Sequence, residues 1–181
     1  MNKKLSGVKI AMLVADGFEQ DEMTKPREAL ENAGAHVELI SPNRKSVQGW
    51  KNSQWADEFP VDVHLNQANP TDYAALILPG GVINPDHLRI IPEAIEFIKK
   101  FVEAAKPIAA ICHGPWTLIN ANGIGGRTVT SWPSLQVDLI NAGAEWIDKE
   151  VVIDGNLITS RKPDDIPAFN TAIITLIFER L

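Results

Sequence analysis

The chain contains a single cysteine, Cys112, among 181 residues. An internal disulfide is excluded, and a lone thiol fits a reducing cytoplasm better than an oxidising compartment. Long apolar runs are also missing. The first apolar stretch, Val8 to Ala15, stops at Asp16 and is too short to cross a membrane. The opening Met-Asn-Lys-Lys-Leu-Ser-Gly has two positive charges but no apolar core or small-residue cleavage site, so no signal peptide is expected. Basic residues are outnumbered, 17 Lys and Arg against 23 Asp and Glu, for a net charge of -6. Nucleic acid is therefore not expected as a partner, because phosphate binding needs a basic face. Histidine is scarce as well, and His36, His64 and His87 show no metal-ligand spacing. No metal or other cofactor is expected.

What is present reads as one domain over 1–181, large enough to bury a core unaided. Val8–Val14, His36–Ile40, Ala74–Leu78 and Pro107–Ile111 are short apolar runs of the kind found in strands covered on both faces. Between them lie helical spacings: Met23, Pro26, Leu30 and Ala33; then Ile91, Ile95, Ile98, Val102 and Ala105. Short helices are expected over 115–121 and 133–141. Asp154-Gly155-Asn156 between two apolar runs predicts a hairpin within 151–158. Ile166, Phe169, Ile173, Ile177 and Leu181 predict the buried face of a last helix. The stretch 43–72 is irregular, with one half-buried strand expected from Val61, Val63 and Leu65, and with Trp50, Trp55 and Phe59 in packing or a subunit contact. Strands alternating with helices give an α/β fold with a mostly parallel sheet.

In such a sheet the functional loops lie at the carboxyl ends of the strands. Three stand out: Asp16-Gly17-Phe18-Glu19, Pro79-Gly80-Gly81, and Cys112-His113-Gly114. Cys112 has the setting of a nucleophile elbow, delivered by a strand to a tight turn before a helix. Helix N–H groups would favour its thiolate and lower its pKa. His113 is a candidate base, although adjacent residues in a turn do not naturally face each other, so an acid from elsewhere would be needed to orient it. Glu19 is the candidate proton partner, provided its carboxyl is protonated, since an ionised one would repel a thiolate. The N–H groups of Gly80 and Gly81 could bind an oxyanion. Trp116 and Trp132 either wall the pocket or pack in the core.

The segments Asp16-Gly17-Phe18-Glu19, Leu78-Pro-Gly-Gly81, Asn84-Pro-Asp86 and Ala110-Ile-Cys-His-Gly-Pro115 resemble the PfpI family of the ThiJ/PfpI superfamily. Ser131-Trp-Pro133, Asn141-Ala-Gly-Ala-Glu-Trp146 and Thr159-Ser-Arg-Lys-Pro-Asp-Asp165 extend the resemblance over nearly the whole chain. It implies a flavodoxin-like three-layer α/β/α sandwich of the class I glutamine amidotransferase-like type. It also implies Cys112 as nucleophile, Glu19 as its protonated partner and His113 beside it. In relatives that histidine pairs with an acid from a neighbouring subunit, and the matching position here is Asp86, where relatives often carry glutamate. The resemblance implies a homodimer or higher homo-oligomer with the site near the interface.

Activities ascribed to such proteins are intracellular peptidase, cofactor-free glyoxalase, deglycase and stress chaperone. A soft thiolate adds readily to an aldehyde, and a nearby acid and base can move protons between adjacent carbons, so reactive carbonyls or glycated adducts are the favoured substrates. Peptidase action and a redox-sensing chaperone role are the alternatives. A glutamine amidotransferase needs a histidine well downstream of the cysteine, and none follows His113. The same absence excludes the α/β-hydrolase order.

Overall fold

The structure is a computed structural model that describes residues 4–181. Met1–Lys3, part of the opening segment read above against a signal peptide, lie outside the described residues. No helix among the described residues is long and apolar enough to cross a membrane.

The elements follow the alternation expected. The first half contains β1 (Lys9–Leu13), β2 (Phe18–Glu19), α1 (Gln20–Asn32), β3 (His36–Ser41), β4 (Ser46–Lys51), β5 (Gln54–Pro60), β6 (Val63–His64) and β7 (Ala75–Leu78). Then come α2 (Ile83–Arg89), α3 (Pro92–Glu103), β8 (Ile108–Ile111) and α4 (Trp116–Asn120). The chain finishes with β9 (Thr128–Val129), α5 (Gln136–Asn141), β10 (Glu145–Trp146), β11 (Val151–Asp154), β12 (Leu157–Ser160) and α6 (Ile166–Glu179). The main sheet has seven strands in the order β11-β12-β8-β7-β1-β3-β6. All its pairings are parallel except β11 with β12, which form the expected hairpin.

Period-two alternation divides the core into two layers. Ile10, Met12 and Val14 of the first strand region pack with Met23 and Leu30 of α1 and with Phe169 and Ile173 of α6. Ala11, Leu13 and Ala15 face the other way, toward Leu88 of α2, Phe97 and Phe101 of α3 and Leu118 of α4. The central strands β7 and β8 divide in the same way, Ala75, Ile77, Ala109 and Ile111 on one side and Leu76, Leu78, Ile108 and Ala110 on the other. Both faces are covered, which is why these strands read as continuous apolar runs.

Three features depart from the expectations. The irregular stretch contains a hairpin, β4–β5, which pairs with β2 in a separate three-stranded sheet. Its turn places Asn52 and Ser53 at φ 52° and 60°, the two left-handed residues of a primed hairpin turn made without glycine. The strand expected around Val61, Val63 and Leu65 is only Val63–His64, because Leu65 already opens a turn of 3-10 helix capped by the His64 ring. Leu181 is 70% exposed beyond the end of α6, not on its buried face.

Candidate active site

The strand order reverses between β1 and β7. β3 and β6 extend the sheet one way from β1, while β7, β8 and β12 extend it the other. The carboxyl ends of the strands around that reversal form a crevice, the usual ligand position in an open α/β sheet. The loops after β1, β7 and β8 meet there, as the sequence indicated. They form a pocket of about 450 Å³ that includes Gly17, Glu19, Gly81, Cys112, His113 and Trp132.

Cys112 sits on the elbow at φ 61°, a left-handed conformation that costs a non-glycine residue about 1–2 kcal/mol. The neighbouring backbone holds it there. Its N–H donates to the Ser160 carbonyl (3.0 Å), and its carbonyl accepts from Trp132 N–H (2.9 Å). The side chain is 7% exposed at the pocket floor. Helix α4 begins only at Trp116, so the expected lowering of the thiol pKa by a helix terminus does not govern here. Burial and the Glu22 carboxyl push the thiol up, while the backbone N–H groups of Gly81 and His113 pull it down.

Glu22, not Glu19, is the carboxyl against the sulfur. Glu22 is completely buried, and its Oε2 accepts from Gly80 N–H (2.8 Å). Desolvation is the largest of the causes that push its pKa up to about 8. The Gly80 N–H acts in the opposite direction, and the Glu19 charge adds to the rise. Glu22 Oε1 has no hydrogen-bond partner among the described residues, and the carboxyl stands close enough to Cys112 that each raises the other's cost of ionising, so the two titrate as a coupled pair. Glu19 is the N-cap residue of α1 and half-buried in the pocket, with its pKa raised by desolvation and by Asp21. The two glutamates lie three apart, on one side of the helix, and the later one reaches the floor. The signal was visible in the sequence: Glu22 shares the apolar stripe of Pro26 and Leu30, where an acid is out of place unless it is used.

His113 does face the thiol, against the geometric objection raised above. Its Nδ1 is 3.2 Å from Cys112 Sγ, and its Nε2 is 3.4 Å from Ser134 Oγ. Burial lowers its pKa. The ring stacks with Trp132 (centroids 6.2 Å, 24°) and meets Trp116 edge-on at 5.7 Å. Trp132 walls the pocket. Trp116 instead buttresses the imidazole from behind, with its indole N–H donating to Asp138 and the Arg89 guanidinium over its ring. Among the described residues no carboxylate is hydrogen-bonded to His113. Asp86 is exposed on α2 and does not line the pocket. His87 is likewise exposed on α2.

Gly80 and Gly81 have different parts. The Gly80 N–H is occupied by Glu22 and is not free for an oxyanion. A Cβ at Gly80 would lie 2.5 Å from Glu22 Oε2 and 2.7 Å from Cys112 Cβ, so only glycine fits. The Gly80 carbonyl accepts from Asn84 Nδ2 (3.0 Å) and from Glu19 N–H (3.4 Å). A planar peptide puts the next N–H on the opposite side, which leaves that of Gly81 for the sulfur. Asn84, fully buried, also donates to the Pro79 carbonyl (3.1 Å) and accepts from Ala15 N–H (2.7 Å). One amide thus ties the β1 and β7 loops together.

The missed hairpin supplies the remaining wall. Asp16 accepts from Gln48 N–H and Asn43 Nδ2, fastening β4 to the end of β1. Glu19 pairs in register with Trp50, which brings that indole into the pocket.

Comparison with known proteins agrees with this geometry. The sequence profile of the DJ-1/PfpI family matches residues 8–176. General stress protein 18 of Bacillus subtilis (strain 168) is 43% identical over 173 residues, 94% of this chain and 98% of that protein. The protein of the same organism named "Putative cysteine protease YraA" is 42% identical over 170 residues, 93% and 98% of the two chains. Among solved structures, Drosophila melanogaster DJ-1beta superposes with a TM-score of 0.84 at 26% identity, covering 95% of this chain and 94% of that one. On the profile match and these similarities, the chain belongs to the DJ-1/PfpI family.

Proposed function

We propose that this protein is a Cys112-dependent stress-defence enzyme acting on reactive carbonyls or their glycated adducts, with glyoxalase-type chemistry as the simplest form. One observation carries this reading: a fully buried carboxyl, Glu22, stands beside Cys112 on the pocket floor, with its Oε2 held by Gly80 N–H, its Oε1 without a hydrogen-bond partner among the described residues and its pKa pushed up to about 8 by burial. A group poised near neutral pH both gives and takes protons, which suits an acid-base partner.

For a 2-oxoaldehyde the steps balance as follows. The sulfur adds to the aldehyde carbon, and the carbonyl oxygen takes a proton to give a hemithioacetal. The N–H groups of Gly81 and His113, which stand beside the sulfur, are the donors in reach of that developing oxygen charge. The hydrogen on the former aldehyde carbon leaves as a proton and one returns to the neighbouring carbon, with Glu22 and His113 as carriers, giving a thioester. Water hydrolyses the thioester to a 2-hydroxy acid and frees the thiol. The net reaction consumes one water. The names of relatives support a stress role in broad terms.

A second reading, peptidase, is favoured by the 3.2 Å contact between Cys112 and His113 and by the name of YraA. In it a homo-oligomer brings the exposed Asp86 of another subunit to His113.

The test is lactate production from methylglyoxal by the purified protein, with Cys112→Ala and Glu22→Gln alongside, in Tris-free buffer. Aldehyde loss and lactate are measured separately, since trapping imitates catalysis. Lactate only at the Cys112→Ala background, with Cys112-dependent cleavage of a fluorogenic peptide, would replace the first reading by the second.

A further inference from the structure

The charge and apolarity of the pocket walls carry a statement about selectivity. Around the sulfur stand Trp50, Val82, Ile83, Trp132 and Pro163. Trp132 is 40% exposed and stacks with the His113 ring, so an aromatic wall runs from beside the thiol to the mouth. The ionisable groups that line the pocket are Glu19, Glu22, Cys112 and His113, with no lysine or arginine among the described residues.

The nearest cations make their contacts outside the pocket, Lys51 alone acting on Glu19 at its edge. Lys51 donates to Asp21 at 2.7 Å, and Arg161 is held by Asp165 and Asp148. Lys162, next to Pro163, pairs with Asp164, and Arg89 donates to Asn120. Burial lowers the His113 pKa, which keeps its imidazole neutral near pH 7. Once Cys112 ionises to react, a substrate anion would meet the thiolate and the nearby Glu19 carboxyl, with no counter-charge on the walls.

We infer that the pocket selects uncharged 2-oxoaldehydes bearing an apolar, planar substituent and rejects carbonyl compounds that carry an anionic group. The inference rests on the carbonyl chemistry proposed above, but its two arms can be read on the thiol whether or not turnover occurs. An aryl group attached to a carbonyl at Cys112 would lie against the Trp132 side of the aromatic wall, where burial and ring contact favour it. A carboxylate or phosphate in the same place is desolvated against like charge.

The charge arm is tested with the full-length protein by the rate of Cys112 alkylation with neutral iodoacetamide and anionic iodoacetate, normalised to N-acetylcysteine. Iodoacetate is expected to be disfavoured about tenfold relative to the free thiol. Val82→Lys, at an exposed rim position, is expected to restore most of that loss. A normalised ratio equal to that of the free thiol overturns the arm, and so does a Val82→Lys protein with an unchanged ratio.

The apolar arm is tested by initial rates of 2-hydroxy acid formation. Phenylglyoxal is expected to exceed methylglyoxal by about tenfold in kcat/KM, and Trp132→Ala to shrink that preference. Equal or reversed preference overturns it. If neither aldehyde is turned over, the reaction proposed above fails. Selectivity is then read from protection of Cys112 against iodoacetamide: phenylglyoxal protecting at lower concentration than methylglyoxal upholds it, and equal protection overturns it.

Discussion

Replacing Glu22 with glutamine tests the electrostatics of the site most directly. The amide keeps the size of the side chain, an oxygen to accept from Gly80 N–H and a donor for the sulfur, but it cannot ionise. In the native protein the Glu22 pKa stands at about 8 against an ordinary 4.5, chiefly because the carboxyl is fully buried. The unfolded chain releases this proton near 4.5 and the folded chain holds it, so the unfolded state binds fewer protons throughout that window. Native stability therefore falls as pH rises from 4.5 to about 8, and the loss is complete above the folded pKa.

At 1.36 kcal/mol per pH unit the whole window is worth about 5 kcal/mol. Coupling to Cys112 reduces this, because a thiol that stays protonated relieves part of the repulsion. About 2–3 kcal/mol is the expected gain of Glu22→Gln over wild type at pH 8.5, and close to none at pH 4.5. For a domain of this length that is a Tm difference of about 4–12 °C, opening with pH. Thermal and urea unfolding of both proteins from pH 4.5 to 9 measures it. Turnover of the variant should meanwhile drop at least about 100-fold, the range of a lost proton carrier, while iodoacetamide still labels Cys112. A stability difference that stays flat over this pH range would refute the assignment of a protonated carboxyl to Glu22.

Other substitutions probe the frame around the thiol. Gly80→Ala pushes a methyl group between Glu22 and Cys112 and should cost about 1–3 kcal/mol and most of the turnover, seen by urea unfolding and initial rates. Asn84→Ala removes three buried hydrogen bonds and should cost about 3 kcal/mol. Asn84→Asp keeps the acceptor for Ala15 N–H but turns a buried carboxylate against the Pro79 and Gly80 carbonyls, so it should cost at least as much and move the pH profile of Cys112 alkylation upward, as the Gly81 N–H loses its fixed direction. Cys112→Gly should be about 1 kcal/mol more stable than Cys112→Ala, since glycine adopts φ 61° without penalty and both lack the thiol. Equal unfolding midpoints for that pair would show that the elbow is not strained. On acidification, protonating His113 costs native stability below its ordinary pKa of 6.5, because the folded state resists the proton that the unfolded state takes up. His113→Gln should flatten that acid limb.

The sequence by itself determined the parallel sheet, its two covered faces and the elbow. Apolar runs at β1, β7 and β8 leave no other way to bury both sides, and Cys112 follows the last of these at a tight turn. It also determined which three loops meet, because strand ends in an open sheet share one edge.

Tertiary structure decided which group stands at the sulfur. Glu19 and Glu22 are chemically alike and three residues apart. The choice depends on where β2 ends and α1 begins, and boundaries of that kind are set by packing. The contact between Cys112 and His113 needed the left-handed turn that the neighbouring backbone imposes, which no rule about adjacent residues supplies. The Trp50 wall came from a hairpin whose turn lacks glycine, so its local signal was weak and its place depends on Asp16, far away in the chain. The thiol's pKa was likewise misjudged from local structure. Its environment is governed by burial and by a carboxyl brought from another element, and both are properties of the folded chain.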